Sequence, residues 1–170
     1  MKKEKNDERS ILSRINDNVK IAFLRFWFVG LIYYLIGWGT NLGESDSPFD
    51  LIFVLSLITA AGHLFIFNPI MYKMFDVQRN GIFVNKKYSE RSIFQNVICN
   101  LLEFFKCVFI TILVFLTYQL INYILIDLLK LSPLGGEPIL YGIFFTLYYS
   151  LLSLISDKCI KFYRNKKGKE

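Results

Sequence analysis

Apolar residues gather in four long runs, roughly Ile21–Gly39, Phe49–Met71, Cys107–Ile126 and Pro138–Ser156, and polar residues fill the stretches between them. Each run holds about 19–23 residues, and a helix needs about 20 to cross the hydrocarbon core of a bilayer. The pattern predicts an all-α membrane protein with four transmembrane helices. Amphipathic segments precede the first and third runs. Ile11, Leu12, Ile15 and Val19 fall at helical spacing with Arg14, Asp17 and Lys20 between them. Ile93, Phe94, Val97, Ile98, Leu101 and Leu102 form a second such face, and Ser89 with Glu90 and Arg91 suits a helix start. Both segments are expected to lie in the interface as helices of their own. Asn80–Gly81 marks a turn in the middle connection. The chain thus divides into a cytoplasmic tail with an interfacial helix (1–20), one membrane domain (21–157) and a basic tail (158–170).

Charge orients this arrangement. The N-terminal tail carries Lys2, Lys3, Lys5, Arg9, Arg14 and Lys20; the middle connection carries Lys73, Arg79, Lys86, Lys87 and Arg91; the C-terminal tail carries Lys158, Lys161, Arg164, Lys166, Lys167 and Lys169. The other two connections hold only Lys130, against Glu44, Asp46, Asp50, Asp127 and Glu137. Lys and Arg stay on the cytoplasmic side, so both termini are expected inside the cell, in a multi-pass protein of the cytoplasmic (inner) membrane. The net charge of +6 is then explained by contact with anionic headgroups of the membrane lipids rather than with nucleic acid. The first run is too long for a signal-peptide core, and no small-residue cleavage site follows at Trp38–Asn41, so it is expected to be retained. Cys99, Cys107 and Cys159 lack metal-ligand spacing and fall on the reducing side, which predicts thiols. No metal and no cofactor is expected.

The two halves resemble each other. A shift of 81 places Phe23-Leu24-Arg25 over Phe104-Phe105-Lys106 and Asn41 over Asn122, and a shift of 88 places Asn68 over Ser156, Lys73 over Lys161 and Phe75 over Tyr163. The matches suggest two parallel two-helix repeats related by an axis along the membrane normal.

Candidate chemistry lies in polar side chains within the runs, where exposure to lipid is costly. Ser56, Thr59 and His63 recur on one face of the second run, Thr111, Tyr118 and Asn122 on one face of the third, and Thr146, Ser150, Ser153 and Asp157 on one face of the fourth; the first contributes Gly30, Tyr34, Gly37 and Asn41. These faces are expected to line a polar path, or else to serve as helix–helix glue. Arg25 and Lys106 lie at matching depths, and Lys73, Lys158 and Lys161 close the second and fourth runs. With Asn68, and with Asp157 pairing one of the cations, they form a candidate site for a lipid phosphate; as isolated side chains they would snorkel to the surface. His63 is the only histidine, and there is no HExxH pattern and no phosphate-cradling glycine loop. A membrane cysteine peptidase would require His63 to meet Cys107 or Cys159 in space. No enzyme is expected.

The segment Phe23-Leu24-Arg25-Phe26-Trp27-Phe28-Val29-Gly30 resembles the opening of the GtrA-like family of small four-span proteins, whose first span begins with Arg-Phe, two residues, then Val-Gly. Phe65-Ile66-Phe67-Asn68 followed by Tyr72-Lys73-Met74-Phe75 is similar to the end of that family's second span, and Ser156 to Phe162 partly matches the end of its fourth. Pro69 and Asp157 stand where that family carries basic residues. The resemblance covers residues from about 20 to 165 and implies translocation of a polyprenyl-phosphate-linked sugar across the cytoplasmic membrane, for teichoic acid or other surface polysaccharide glycosylation. It implies as partners that sugar lipid and a membrane glycosyltransferase. Four helices leave little room for a groove, which favours a homo-oligomer. The alternative is a non-transporting interaction protein, such as a bacteriocin immunity protein or a subunit of a larger membrane complex.

Overall fold

A computed structural model describes residues 15–40, 48–75 and 93–167. The tail at 1–9, the start of the first amphipathic segment, most of the first outer connection, the Asn80–Gly81 turn and the Ser89–Arg91 helix start lie outside the described residues, as do the side chains of Asp157 and Lys161.

Four helices are long and apolar enough to cross a membrane: Asp17–Trp38, Phe49–Phe75, Ile93–Leu128 and Pro138–Ser156. They make this a multi-pass, all-helical membrane protein. Helix α1 (Asp17–Tyr33) opens at Asn16, whose side chain accepts the Asn18 N–H at 2.9 Å, with Asp17 in the first turn; both features satisfy the positive N-terminal end of a helix. A π-helical turn, Tyr34–Trp38, completes the first span. The second span is one rod made of α2 (Pro48–Gly62), a π-helical turn (His63–Phe67) and α3 (Asn68–Phe75). Pro69 cannot donate the usual backbone bond to the preceding turn. The wider turn immediately before it, in which the Asn68 N–H reaches back to the His63 carbonyl, absorbs that loss and lets the helix continue. Both α2 and α5 (Pro138–Lys167) begin with proline, whose missing N–H costs nothing at a first helical position.

The third span corrects one expectation. Ile93–Leu102 is not a separate helix lying before the span but the opening of α4 (Ile93–Tyr123), which continues through a π-helical turn to Leu128. Neither Gly nor Pro interrupts Ile93–Leu128, so the amphipathic register runs straight into the apolar one. At ~1.5 Å per residue the rod is about 54 Å long, well beyond a hydrocarbon core of about 30 Å. In the same way, α1 starts at Asp17 and carries the described part of the first amphipathic segment directly into its span. Lys130, with φ of 55°, turns the chain out of the third span, and the Leu131 N–H closes onto the Leu125 carbonyl at 2.8 Å.

Span one packs chiefly against span four, and span two against span three. The first contact is close because it uses glycine: a Cβ on Gly142 would lie 2.7 Å from the Phe26 carbonyl oxygen, and one on Gly30 would lie 3.0 Å from that of Pro138. Small residues of this kind let membrane helices approach backbone to backbone. Val29, Leu55, Ala60, Cys107, Ile110, Val114, Tyr141 and Phe145 fill the centre. Ile21, Phe67 and Met71 form a smaller cluster toward the end where the basic segments emerge, here the basic end. The outward faces carry Trp27, Leu31, Phe53, Leu116 and Leu147, a continuous apolar surface suited to lipid.

Candidate functional site

All four spans contribute to one cluster of charged and aromatic side chains. Arg25 comes from α1, about one turn inside the start of the first apolar run, and Tyr149 from α5, about two turns before the end of the fourth. His63 opens the π-helical turn of span two. Glu103, Lys106 and Cys107 occupy one face of α4, because positions three and four apart project the same way. Ser153 lies one turn beyond Tyr149.

The hydrogen bonds set the protonation of the imidazole. Arg25 Nε donates to His63 Nε2 at 3.0 Å. An arginine is always a donor, so Nε2 carries the lone pair and the imidazole proton sits on Nδ1. That nitrogen lies 3.6 Å from Glu103 Oε1, and the same carboxylate accepts the Tyr149 hydroxyl. The Arg25 guanidinium carbon lies 3.7 Å from the Tyr149 ring centroid and 5.4 Å from that of Phe67. Lys106 Nζ lies 3.6 Å from the Tyr149 centroid and donates to Ser153 Oγ at 2.8 Å. Cations over aromatic faces gain more when desolvated, and Arg25 is only 9% exposed. Two cations and one carboxylate thus meet at this level of the bundle. Asn68 follows Phe67 directly; it is 6% exposed, and its Nδ2 has no hydrogen-bond partner among the described residues. A buried donor in that state costs about 1–3 kcal/mol.

His63, Glu103 and Cys107 also offer ligand atoms within 4.8 Å of one another. The chemistry of the donor set does not fit a metal ion in this arrangement. Nε2 is engaged with Arg25 and Nδ1 bears the proton, so neither nitrogen offers a lone pair. The same trio is the constellation that a cysteine peptidase would need. Its thiol and imidazole, however, have no solvent exposure, and the nitrogen that would accept a thiol proton is bonded to Arg25. Cys99, Cys107 and Cys159 are all unbridged thiols.

The remaining sequence candidates fall elsewhere. Lys73 and Lys158 are exposed nearer the basic end. Thr59 and Thr111 both share hydrogen bonds with the Tyr141 hydroxyl, at 3.3 and 3.2 Å, in a fully buried triad. Ser56 and Ser150 donate to carbonyls of their own helices, Phe53 and Thr146. Tyr118 donates to the Glu137 carbonyl, and Asn122 both donates to and accepts from the Leu134 backbone. These groups close on their neighbours one by one. An apolar recess of about 200 Å³ lies between Phe26, Trp27, Gly30, Tyr34, Pro138 and Ile139.

Sequence reasoning missed Glu103 and Tyr149. Glu103 is the only carboxylate in α4, and an ionisable residue inside a membrane span is a site candidate by default. Starting the third span at Cys107 left Glu103 in the supposed interfacial helix and hid that signal. Tyr149 is one of 10 tyrosines; only its place in the Tyr141, Phe145, Tyr149, Ser153 series sets it apart. The chain matches no protein-family model, no curated protein and no solved structure.

Proposed function

We propose that this protein binds a phosphorylated lipid at the Arg25–Lys106–Tyr149 cluster and translocates a polyprenyl-phosphate-linked sugar across the cytoplasmic membrane. The observation that carries the reading is the meeting of two cations, from separate spans, over one tyrosine ring. The two cations suit a phosphodiester anion, and Asn68 Nδ2 has no hydrogen-bond partner among the described residues. The charge distribution supports an orientation with both termini and the basic end in the cytoplasm, which sets the cluster just inside the cytoplasmic boundary. The repeat reading is supported by the packing, since an exchange of halves turns the span one–four contact into the span three–two contact. Each half also ties its cation to its own second helix, Arg25 to His63 and Lys106 to Ser153. A transported sugar needs partners for its hydroxyls, because burying one unpaired costs on the order of 2–7 kcal/mol. A groove for it would form between copies of the chain or by opening of the spans.

A second reading, a non-transporting interaction protein, is favoured by the self-satisfied Thr59–Tyr141–Thr111 level. Flux separates the two. In vesicles, Arg25→Gln combined with Lys106→Gln is expected to abolish sugar-lipid translocation while the protein remains folded. Unchanged flux, or a wild-type protein that moves no lipid, would remove the transport reading.

A further inference from the structure

The cluster holds a histidine whose two nitrogens are committed to opposite roles, and this has a consequence for anion binding. With His63 neutral, Nε2 accepts from Arg25 at 3.0 Å and Nδ1–H faces Glu103 at 3.6 Å. A proton added to the Nε2 lone pair turns that acceptor into a donor. Two N–H groups and two positive charges would then face each other in a buried site. Arg25 must swing away, or an anion must enter that accepts from both. We infer that His63 is a proton-binding site linked to the anion site, so that a phosphodiester and a proton are taken up together. This rests on the reading of the cluster as a lipid-phosphate site.

The groups around the imidazole are consistent in sign. Arg25 from α1 opposes the imidazolium in the absence of an anion. Glu103 from α4 stabilises it, and the Tyr149 hydroxyl from α5 holds that carboxylate in place. The Cys107 thiol, also from α4, lies beside the imidazole, and the Lys106 ammonium stands on the Tyr149 ring. A proton on His63 adds one positive charge to the buried site, and a phosphodiester removes one. Joint uptake therefore leaves the charge buried among the spans unchanged, whereas either alone changes it, and buried charge is expensive. By linkage, whatever the anion does to proton affinity the proton does equally to anion affinity. A coupling ion of this kind would let a transmembrane proton gradient act on lipid movement without a nucleotide.

The test uses the full chain in phosphatidylcholine nanodiscs, titrated with a farnesyl phosphoglucose diester whose single negative charge is constant between about pH 5.5 and about pH 8.5, where histidine changes charge. Affinity is expected to fall with rising pH, by up to about tenfold per unit, with uptake of up to about one proton per lipid bound; a pH indicator in weak buffer reads that uptake directly. His63→Gln keeps an acceptor for Arg25 and a donor for Glu103 but does not titrate; it should bind with a flat pH profile and no proton uptake. Competition by phosphatidylglycerol with the same pH slope supports the linkage with bulk lipid as the anion source, and its absence supports the linkage with the sugar lipid as source. Wild-type binding that is equal across the range with no proton uptake overturns the inference and leaves the lipid-phosphate reading intact. So does a His63→Gln variant that keeps the wild-type slope. A folded wild-type protein that binds the diester at no pH overturns the lipid-phosphate reading, and the linkage with it.

Discussion

Tyr141 and Tyr149 stand on one face of α5, about two turns apart; both pack against the other three spans, Tyr141 buried and Tyr149 half-buried. Tyr141 shares its hydroxyl with Thr59 and Thr111. Tyr149 gives its hydroxyl to Glu103 and its ring to Arg25 and Lys106. The first level is neutral and internally complete. The second brings two cations and a carboxylate together around one aromatic ring. Polar levels in a membrane bundle thus divide by whether they carry charge. The Tyr141 level joins helices as a neutral unit, and the Tyr149 level concentrates charge.

The sharpest way to break this contrast is to remove the Glu103 carboxylate from the Tyr149 level. Glu103→Leu takes a negative charge away from a site that holds Arg25 and Lys106 and strips the acceptor from the Tyr149 hydroxyl. Truncating one partner of a buried charged network costs about 3–5 kcal/mol, and a loss of about that size is expected in thermal unfolding in detergent. An anionic lipid should restore part of it, since anything that binds only the folded form stabilises it. Glu103→Leu with wild-type stability would mean that the cluster is solvated and the contrast between the two levels is false.

The neutral level predicts a smaller and differently placed effect. Tyr141→Phe keeps the ring packed against Tyr33, Phe115 and Phe145 and removes one hydroxyl. Thr111 retains its bond to the Cys107 carbonyl at 3.1 Å, so Thr59 bears most of the loss. A cost of about 1–2 kcal/mol follows for an interhelical hydrogen bond in a membrane, with lipid binding unchanged. Equal lipid affinity and lowered stability in this variant, set beside the reverse balance for Arg25→Gln, would sharpen the division.

The legible and hidden parts of the site differ for a physical reason. Arg25 announced itself because a cation in an apolar run has few explanations, and Lys106 because it stands at the edge of the third run. His63 stood out as the only histidine, but its partner Arg25 lies 38 positions away, beyond any local pattern. Glu103 was obscured by a boundary: hydropathy marks where the lipid-facing surface ends, whereas the helix of α4 begins at Ile93 and continues without interruption. Thr59, Tyr118 and Asn122 were readable as polar positions within spans. What each would bond to was not, since helix faces carry no information about the neighbour's register. The four spans themselves were plain because twenty consecutive apolar residues satisfy the length requirement of a bilayer directly.

The smallest expected effect lies at the opposite end of the bundle. Asn122 donates Nδ2–H to the Leu134 carbonyl at 3.3 Å and accepts the Leu134 N–H at 2.7 Å, tying the connection between spans three and four to span three. Asn122→Leu removes both bonds, but the connection around Leu134 is largely exposed, so water can take over its backbone groups. A bridging water is nearly as good as a direct bond, and a global change of no more than about 1 kcal/mol is expected. The change should appear locally, as faster amide exchange at Leu134, with lipid binding and its pH dependence untouched. A loss as large as that expected for Glu103→Leu would place a structural keystone at the wrong end of the molecule. Charge would then no longer separate the helix-joining level from the one at Tyr149.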